Sequence, residues 1–340
     1  MKRSTVILAL VTAVAVPFAA AAATPVATVR YSDMCDASAA VALPGNRFVV
    51  ANDEDNWLRV YQGADGTTLQ STGPVDKFDL TEFLKIAKKK PEADIEGAAV
   101  IGSRIYWITS HGESATGEAR PNRLRLFATE IKTNDTGVRL KPVGKAFNGL
   151  VEVLADDDDT AELKGYQLDV AATDAPESAT GLNIEGLTGT PEGTLLIGFR
   201  NPVPDGKALL VPLENPHGVV DKAEKPRLGK AVLLDLGGSG IRSIEYSHQR
   251  KVYFIVAGPI GDGGEWHLYQ WSGAATDPPV VVPGIDFTGL RPEALILDPA
   301  APDRIQVLSD DGAEQVNGKD CKDLRKDPEK QGFRSTWFNL

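Results

Sequence analysis

Short hydrophobic runs separated by Gly, Pro, Asn and Asp recur along the chain from about residue 25 to the C-terminus. Runs of this length that are rich in Val, Ile, Tyr and Phe and bounded by turn residues are typical of β-strands. The stretch NIEGLTGTPEGTLLIGFRN at 183–201 shows the pattern clearly, with two apolar runs joined by a turn. The polar–apolar pattern therefore predicts a chain made mostly of β-hairpins.

The hairpin pattern repeats, and each copy opens with a short polar stretch that often contains Ile-Glu or Pro-Glu. Further copies read DIEGAAVIGSRIYWITSHGE at 94–113, SIEYSHQRKVYFIVAGP at 243–259 and RPEALILDPAAPDRIQVLSDDG at 291–312. A degenerate copy, DASAAVALPGNRFVVANDED at 36–55, places Ala37 at the glutamate position. Repetition at this scale predicts an array of similar structural units.

Additional apolar runs follow the hairpins and complete each repeat. Third strands are predicted at 57–62, 123–131, 208–213 and 266–271, and fourth strands at 231–236 and 280–285. Iterated units of three or four antiparallel strands predict an all-β fold, a single β-propeller. The repeats predict five blades; a sixth, degenerate blade within 131–183 is the alternative.

Two segments interrupt the repeats with helical spacing of apolar residues. Short helical insertions are predicted near 79–90, from the apolar side chains between Leu80 and Ile86, and near 147–168. The ring is expected to close by strand exchange between 25–31 and 333–338.

The N-terminal sequence predicts that the protein is exported from the cytoplasm. Lys2 and Arg3 precede an apolar segment at 6–20 that ends in alanines, which is typical of a signal peptide cleaved after Ala23. Residues 1–23 are therefore predicted to be the signal peptide and 24–340 the propeller domain, in a periplasmic or secreted protein with no membrane span after cleavage. An uncleaved anchor is the alternative. The two cysteines, Cys35 and Cys321, are expected to form a disulfide in an oxidising compartment.

Charge narrows the classes of partner. The chain has a net charge of −11, and about −13 without Lys2 and Arg3. Such acidity argues against nucleic acid and anionic membranes, which require clustered basic residues. It is compatible with cation binding. The expected state is a monomer.

Repeated glutamates are the principal candidates for chemistry. Glu96, Glu185, Glu245 and Glu293 open successive repeats, and in a propeller the first strand of each blade lies beside the central channel. Converging carboxylates need raised pKa values, basic partners or a cation. A calcium site is therefore predicted, with ligands Glu96, Glu185, Glu293 and Asp36. The alternative is structural, because repeated glutamates can accept hydrogen bonds from backbone amides of the blades.

The ends of the second strands are chemically diverse, as expected of a binding site on a repetitive scaffold. Glu185, Glu245 and Arg200 are the predicted catalytic residues. Arg291, His111 and Asn201 are the predicted substrate-binding residues. Ordinary turn chemistry is the alternative explanation for any one of these strand-end residues.

Four stretches carry a family resemblance: CDASAAVAL (35–43), DIEGAAV (94–100), GLNIEGLTGTPEGTLLIGFRNP (181–202) and RPEALIL (291–297). They resemble the exported bacterial proteins grouped as domain of unknown function 3616. More distantly, the Glu-Gly strand openings are similar to esterase-like phytases and to gluconolactonase and paraoxonase propellers. That second resemblance implies a catalytic Ca²⁺ and water attack on an ester, lactone or phosphoester, although the first repeat here lacks the glutamate.

Two functional hypotheses follow. The first is a Ca²⁺-dependent hydrolase of small esters, lactones or phosphoesters at the central channel, with a small anionic molecule as substrate. The second is a non-catalytic propeller that binds a protein or glycan partner in the cell envelope. They differ in whether a cation binds in the channel, and the sequence leaves open whether the protein is an enzyme.

Overall fold

The structure is a computed structural model that describes residues 25–64, 72–134, 137–156, 161–261 and 263–340. The predicted signal peptide, 1–23, lies outside the described residues. Among the helices that are described, none is long and apolar enough to cross a membrane.

The described residues form five four-stranded antiparallel sheets. Strand β1 (Pro25–Ser32) belongs to the last of them. Blade one comprises β2 (Ala37–Leu43), β3 (Arg47–Asn52), β4 (Trp57–Gln62) and β5 (Asp76–Asp79). Blade two comprises β6 (Ile95–Ile101), β7 (Arg104–Thr109), β8 (Leu126–Asn134) and β9 (Gly137–Phe147). Blade three comprises β10 (Asn183–Gly189), β11 (Leu195–Asn201), β12 (Ala208–Leu213) and β13 (Val232–Leu234).

The remaining strands complete the ring. Blade four comprises β14 (Gly240–Ser247), β15 (Val252–Gly258), β16 (His267–Trp271) and β17 (Val280–Val281). Blade five comprises β18 (Pro292–Ile296), β19 (Arg304–Ser309), β22 (Gly332–Asn339) and β1, and a small hairpin of β20 (Gln315–Val316) and β21 (Lys319–Asp320) precedes β22. The first strands of successive blades contact one another around a closed circuit. The prediction of a five-bladed propeller is confirmed.

Both ends of the chain build blade five. Strand β1 pairs antiparallel with β22, with Tyr31 opposite Phe333 and Thr28 opposite Thr336. The predicted disulfide is confirmed, since Cys35 and Cys321 are bonded with their Cα atoms 6.0 Å apart. The ring is therefore closed by strand pairing and by a covalent bond, as expected from the sequence.

The insertion before blade three is helical. It contains α1 (Leu150–Asp156), α2 (Ala161–Gly165) and α3 (Leu168–Ala171), while α4 (Pro216–Lys222) follows β12. Leu150, Leu154 and Leu168 are buried in the hydrophobic cluster between blades two and three. The described part of 131–183 thus holds the end of blade two and these helices rather than a sixth blade.

The helix predicted at 79–90 is wrong. After β5 these residues form turns, with one helical hydrogen bond from the Leu84 amide to the Leu80 carbonyl, 2.8 Å. Lys85 has a φ of +54°, a left-handed conformation that ends the turn. Leu80 and Leu84 are buried in the cluster between blades one and two. The spacing of apolar residues therefore arises because Leu80 and Leu84 pack into this cluster, not because the segment has the apolar face of a helix.

Candidate functional site

A β-bulge near the start of each inner strand positions the principal side chains. In all five blades the pairing of the first strand with the second skips one residue on the first strand. The skipped residues are Ser38, Glu96, Glu185, Arg242 and Glu293. All five line one cavity of about 1110 Å³ at a mouth of the central channel. Bulges turn a side chain out of the regular alternation, and here they direct one polar side chain per blade to the same cavity.

This register corrects the sequence alignment of two repeats. Ser38, not Ala37, is the blade-one counterpart of the glutamates, because the bulge falls between Ala37 and Ala39. In blade four the bulge falls between Ile241 and Ser243, so that Arg242 takes the position assigned to Glu245. The ring of bulged residues therefore contains three carboxylates and one guanidinium.

Charged residues at two further positions line the same cavity. Asp36, Asp94 and Arg291 lie two residues before the bulge, and Asp53 and Asp310 lie at the ends of the second strands. The strand-end segments thus lie at the channel mouth. Carboxylates outnumber cationic side chains by more than two to one among the described lining residues.

The part of the cavity formed by blades three to five is organised around arginines. Arg242 Nε lies 2.7 Å from Glu185 Oε2, and the same guanidinium donates two hydrogen bonds to Glu293, from Nη2 to Oε1 and from Nε to Oε2. Arg200 Nη1 donates to Glu185 Oε1 at 3.2 Å. Glu185 is only 4 % exposed, so that its charge is stabilised by these partners rather than by water. Two of the repeated glutamates therefore bind arginine side chains.

The part formed by blades one and two contains a cluster of acidic side chains. Asp53, Asp94 and Glu96 each place a carboxylate oxygen within 4.8 Å of the others. Arg123 Nη1 lies 3.1 Å from Asp94 Oδ2 and is the cation nearest to the group. The Oδ1 atom of Asp53 is buried and has no hydrogen-bond partner among the described residues. Such an oxygen lacks the donor or cation that a buried carboxylate requires.

Burial and mutual repulsion disfavour ionisation of this acidic group. Burial, followed by the charges of Asp36 and Glu96, raises the pKa of Asp53 well above its usual value. Burial and the charge of Asp94 raise the pKa of Glu96 in the same way. For Asp94, burial raises the pKa to about 6, although Arg123 opposes the shift. A bound cation would reverse these shifts by stabilising the ionised forms.

Asp36 and Asp310 form a second acidic pair beside this group. A β-bridge joins their backbones, and Gly312 packs against both side chains. A Cβ atom on Gly312 would lie 1.7 Å from Asp36 Oδ1 and 3.1 Å from Asp310 Oδ1. Burial and the neighbouring Asp310 raise the pKa of Asp36 to about 8.

The predicted metal ligands divide between the two parts of the cavity. Glu96 belongs to the acidic group, and Asp36 lines the cavity beside it. Glu185 and Glu293 are instead bound to Arg242. Asp53 and Asp310 complete the acidic part but were not identified individually from the sequence, where only the polar strand ends NDEDN and SDDG marked them.

Only some of the predicted catalytic and substrate-binding residues line the large cavity. Glu185, Arg200 and Arg291 line the cavity. Glu245 lies deeper, at a void of about 10 Å³ that Glu96 and Glu185 also line, and burial raises its pKa to about 8. His111 and Asn201 are buried and are not among the described lining residues.

His111 and Asn201, which lie outside the cavity, both donate hydrogen bonds to backbone carbonyl groups. His111 Nδ1 donates to the carbonyl of Thr109, and burial lowers the pKa of His111 to about 4. Asn201 Nδ2 donates to the carbonyls of Pro176, Ser178 and Ile260. Asn201 thus ties together two loops near the cavity.

Together, these features define a five-bladed β-propeller with a charged cavity at one mouth of its channel. The chain belongs to the family described as "Protein of unknown function (DUF3616)", whose sequence model matches residues 36–126 and 115–284. The resemblance to this family is confirmed. No curated protein matches the chain.

Solved structures that resemble the chain do so at low sequence identity. A luciferin-regenerating enzyme is 8% identical, with 89% of this chain and 78% of that chain covered and a TM-score of 0.40. The PQQ-bound aldose sugar dehydrogenase of Streptomyces coelicolor is 11% identical, with 93% and 99% covered and a TM-score of 0.43.

Proposed function

We propose that the protein is an exported, divalent-cation-dependent hydrolase that acts at the channel mouth, with Ca²⁺ as its ion. The observation that carries the proposal is the group formed by Asp53, Asp94 and Glu96. Its carboxylate oxygens lie within 4.8 Å of one another, and Asp53 Oδ1 is buried without a donor among the described residues. Oxygen-only ligation by carboxylates is what Ca²⁺ prefers.

The remaining residues of the cavity supply the other parts of such a reaction. The cation would polarise a carbonyl or phosphoryl oxygen. Arg200 lines the cavity beside Glu185 and would supply positive charge near the oxygen on which negative charge develops. Asp36 lines the cavity beside the acidic group and is the candidate base, because a bound cation would favour its ionised form.

The proposed reaction is hydrolysis of a small ester, lactone or phosphoester. Water would add to the polarised centre as one of its protons passes to Asp36. The bond to the alcohol oxygen would then break, and Asp36 would return that proton to the leaving oxygen. Arg291, which also lines the cavity, would orient an anionic substituent of the substrate. In this proposal Glu185 positions Arg200 and Arg242 rather than accepting the proton, because two guanidinium groups bind its carboxylate.

We also propose a periplasmic or secreted location. The disulfide between Cys35 and Cys321 supports it, since such bonds persist in oxidising compartments.

Cation binding can be tested without a substrate. Chelator-treated protein is titrated with Ca²⁺, Mg²⁺ and Zn²⁺ by calorimetry, and its thermal unfolding is followed in parallel. Ca²⁺ should bind and raise Tm, because a ligand of the folded state stabilises it by mass action. Glu96→Gln and Asp94→Asn should lose the effect. Glu192→Gln, an exposed change in the turn after β10, is the matched control. No response to any of the three ions would contradict the proposal.

Activity requires a separate assay. Ester, lactone and phosphoester panels should show Ca²⁺-dependent turnover that Glu96→Gln abolishes and Glu192→Gln retains. Cation binding without turnover on any panel would contradict the hydrolase and favour a non-catalytic protein that binds a partner in the envelope.

A further inference from the structure

A second cavity, of about 290 Å³, adjoins the channel mouth beside blade one, and none of its lining residues except Asp36 has a part in the proposed reaction. Asp36 and Glu54 line both cavities, so the two share a wall. Trp57, Arg59 and Gln331 belong to the remainder of the lining. Its volume is close to the lower end of the range for small-molecule sites, roughly 300 Å³.

An exposed indole forms one side of this cavity. Trp57 opens β4 and is 38 % exposed, more than any other tryptophan of the chain. Its backbone amide donates to Asp55 Oδ1 at 2.9 Å, which fixes the start of the strand. A large aromatic face left in water favours an apolar partner of matching shape.

The cationic groups of the cavity are already paired. Arg59 contacts Asp33 through Nε and Asp55 through Nη2, each at 2.8 Å. Lys77 Nζ lies 2.6 Å from Asp33, and Arg325 pairs with Glu54. An anionic ligand would lose its hydration here without meeting a free positive charge among the described lining residues, which is unfavourable.

Fixed polar groups line the same cavity as the indole. Asn52 Oδ1 accepts from the Glu54 amide at 2.8 Å, and Gln331 Nε2 donates to the Cys321 carbonyl at 3.3 Å. Arg59 and Asp55 are held in one plane by two hydrogen bonds. These groups retain further donor and acceptor capacity, because amides, guanidinium groups and carboxylates can each make several hydrogen bonds.

We infer that this cavity is a binding subsite for a neutral sugar ring, stacked on Trp57 and hydrogen-bonded at its edge by the surrounding planar side chains. A pyranose has an apolar C–H face and a rim of uncharged hydroxyls, and so matches an aromatic platform beside paired charges. Asp36 and Glu54 border both cavities, which places this subsite next to the channel mouth. Sugar binding at this subsite does not depend on the proposed hydrolysis. The substrate class does rest on the proposed function: together, the two identify the substrates as esters or lactones carried by neutral saccharides.

The test measures binding without turnover. Cello-, malto-, xylo- and chito-oligosaccharides of two to six units are titrated by calorimetry into the full chain with a chelator present. Oligogalacturonates serve as the anionic comparison and chitosan oligomers as the cationic one. At least one neutral series should bind, with affinity rising with length. Trp57→Ala should weaken it about tenfold or more, as for an aromatic hot spot, whereas Trp57→Phe should retain most of it.

The outcomes separate this inference from the proposed function. Glu96→Gln should leave sugar binding unchanged, and Trp57→Ala should leave Ca²⁺ binding unchanged. Thermal unfolding of each variant confirms that it is folded. Absence of binding by all four neutral series, tighter binding of either charged comparison, or equal affinity in Trp57→Ala would overturn the inference.

Discussion

Arg242 takes the place in blade four that Glu185 takes in blade three and Glu293 takes in blade five, and its guanidinium contacts both carboxylates. Nε lies 2.7 Å from Glu185 Oε2 and 3.0 Å from Glu293 Oε2. All three residues are bulged out of the regular strand pairing at the same point of their blades. One positive side chain thus joins three neighbouring blades at the channel mouth, where the fold would otherwise place another carboxylate.

Replacement of Arg242 by methionine should destabilise the protein strongly at pH 7. The change leaves Glu185 and Glu293 buried with one cationic partner fewer, and breaking a buried ion pair costs about 3–5 kcal/mol of unfolding free energy. The loss should be smaller at pH 5, because burial raises the pKa of Glu293 and its stranded carboxylate can then take up a proton. Urea unfolding at the two pH values measures both effects.

A triple variant provides the control for Arg242. Arg242→Met combined with Glu185→Gln and Glu293→Gln removes the stranded charges and should recover most of the lost stability. If Arg242→Met alone unfolds at the same urea concentration as the wild type, the three-residue arrangement is not important for stability.

The propeller itself could be predicted because its signal is local and repeated. Blades two and three carry nearly the same letters at their inner strands, Ile-Glu-Gly at 95–97 and at 184–186. Sequence similarity alone misaligns blade four by three residues, since Ile244-Glu245 resembles that motif more closely than Ile241-Arg242 does. Only the strand pairing locates the bulge and thereby identifies the equivalent residue.

The site could be predicted only in part, because its acidic group joins residues from different repeat positions. Glu96 was identified from the repeat, whereas Asp53 follows a second strand, where aspartate is common for turn reasons alone. His111 shows the opposite error. His111 follows the second strand of blade two, as Asp53 follows that of blade one. Its backbone is left-handed, with a φ of +56°, and its ring donates a hydrogen bond to the Thr109 carbonyl.

The raised pKa values predict an unusual pH dependence. The pKa of Asp36 is raised from 3.8 to about 8 and that of Asp94 from 3.8 to about 6. At pH values between the unfolded pKa of 3.8 and the raised pKa of each group, the folded state holds a proton that the unfolded state has released. The free energy of unfolding therefore falls as pH rises. Each group can contribute up to about 1.4 kcal/mol per pH unit. Chelator-treated protein should therefore lose stability from pH 5 to pH 8.

Asp36→Asn isolates the contribution of one carboxyl to this pH dependence. The amide cannot ionise, so the variant's stability should fall less steeply between pH 5 and pH 8 than that of the wild type. Urea unfolding at four pH values gives the two slopes. Parallel slopes would show that Asp36 does not titrate in this range.

The disulfide should contribute substantially to stability. It joins residues 286 apart in sequence and anchors the segment that precedes β22. Cys35→Ser/Cys321→Ser should lower the free energy of unfolding by about 2–5 kcal/mol, the usual effect of removing a native bond. Thermal and urea unfolding measure the loss. Exchange of the Cys321 amide, which donates to the Glu314 carbonyl at 2.8 Å, should also accelerate. Unchanged unfolding and exchange would mean that the β1–β22 pairing suffices.

Gly312 should tolerate no side chain while Asp36 is present. A Cβ atom there would lie 1.7 Å from Asp36 Oδ1, so Gly312→Ala must displace a buried carboxylate. Overpacking of this kind costs about 1–3 kcal/mol. Gly165→Ala is the matched control, because no described atom outside its own helix and chain neighbours lies within 4 Å of the added Cβ, and alanine favours a helix. In an Asp36→Ala background the methyl group has room, and the penalty of Gly312→Ala should largely disappear. A double-mutant cycle by urea unfolding measures that coupling. Strictly additive effects would show that Gly312 and Asp36 do not compete for the same space.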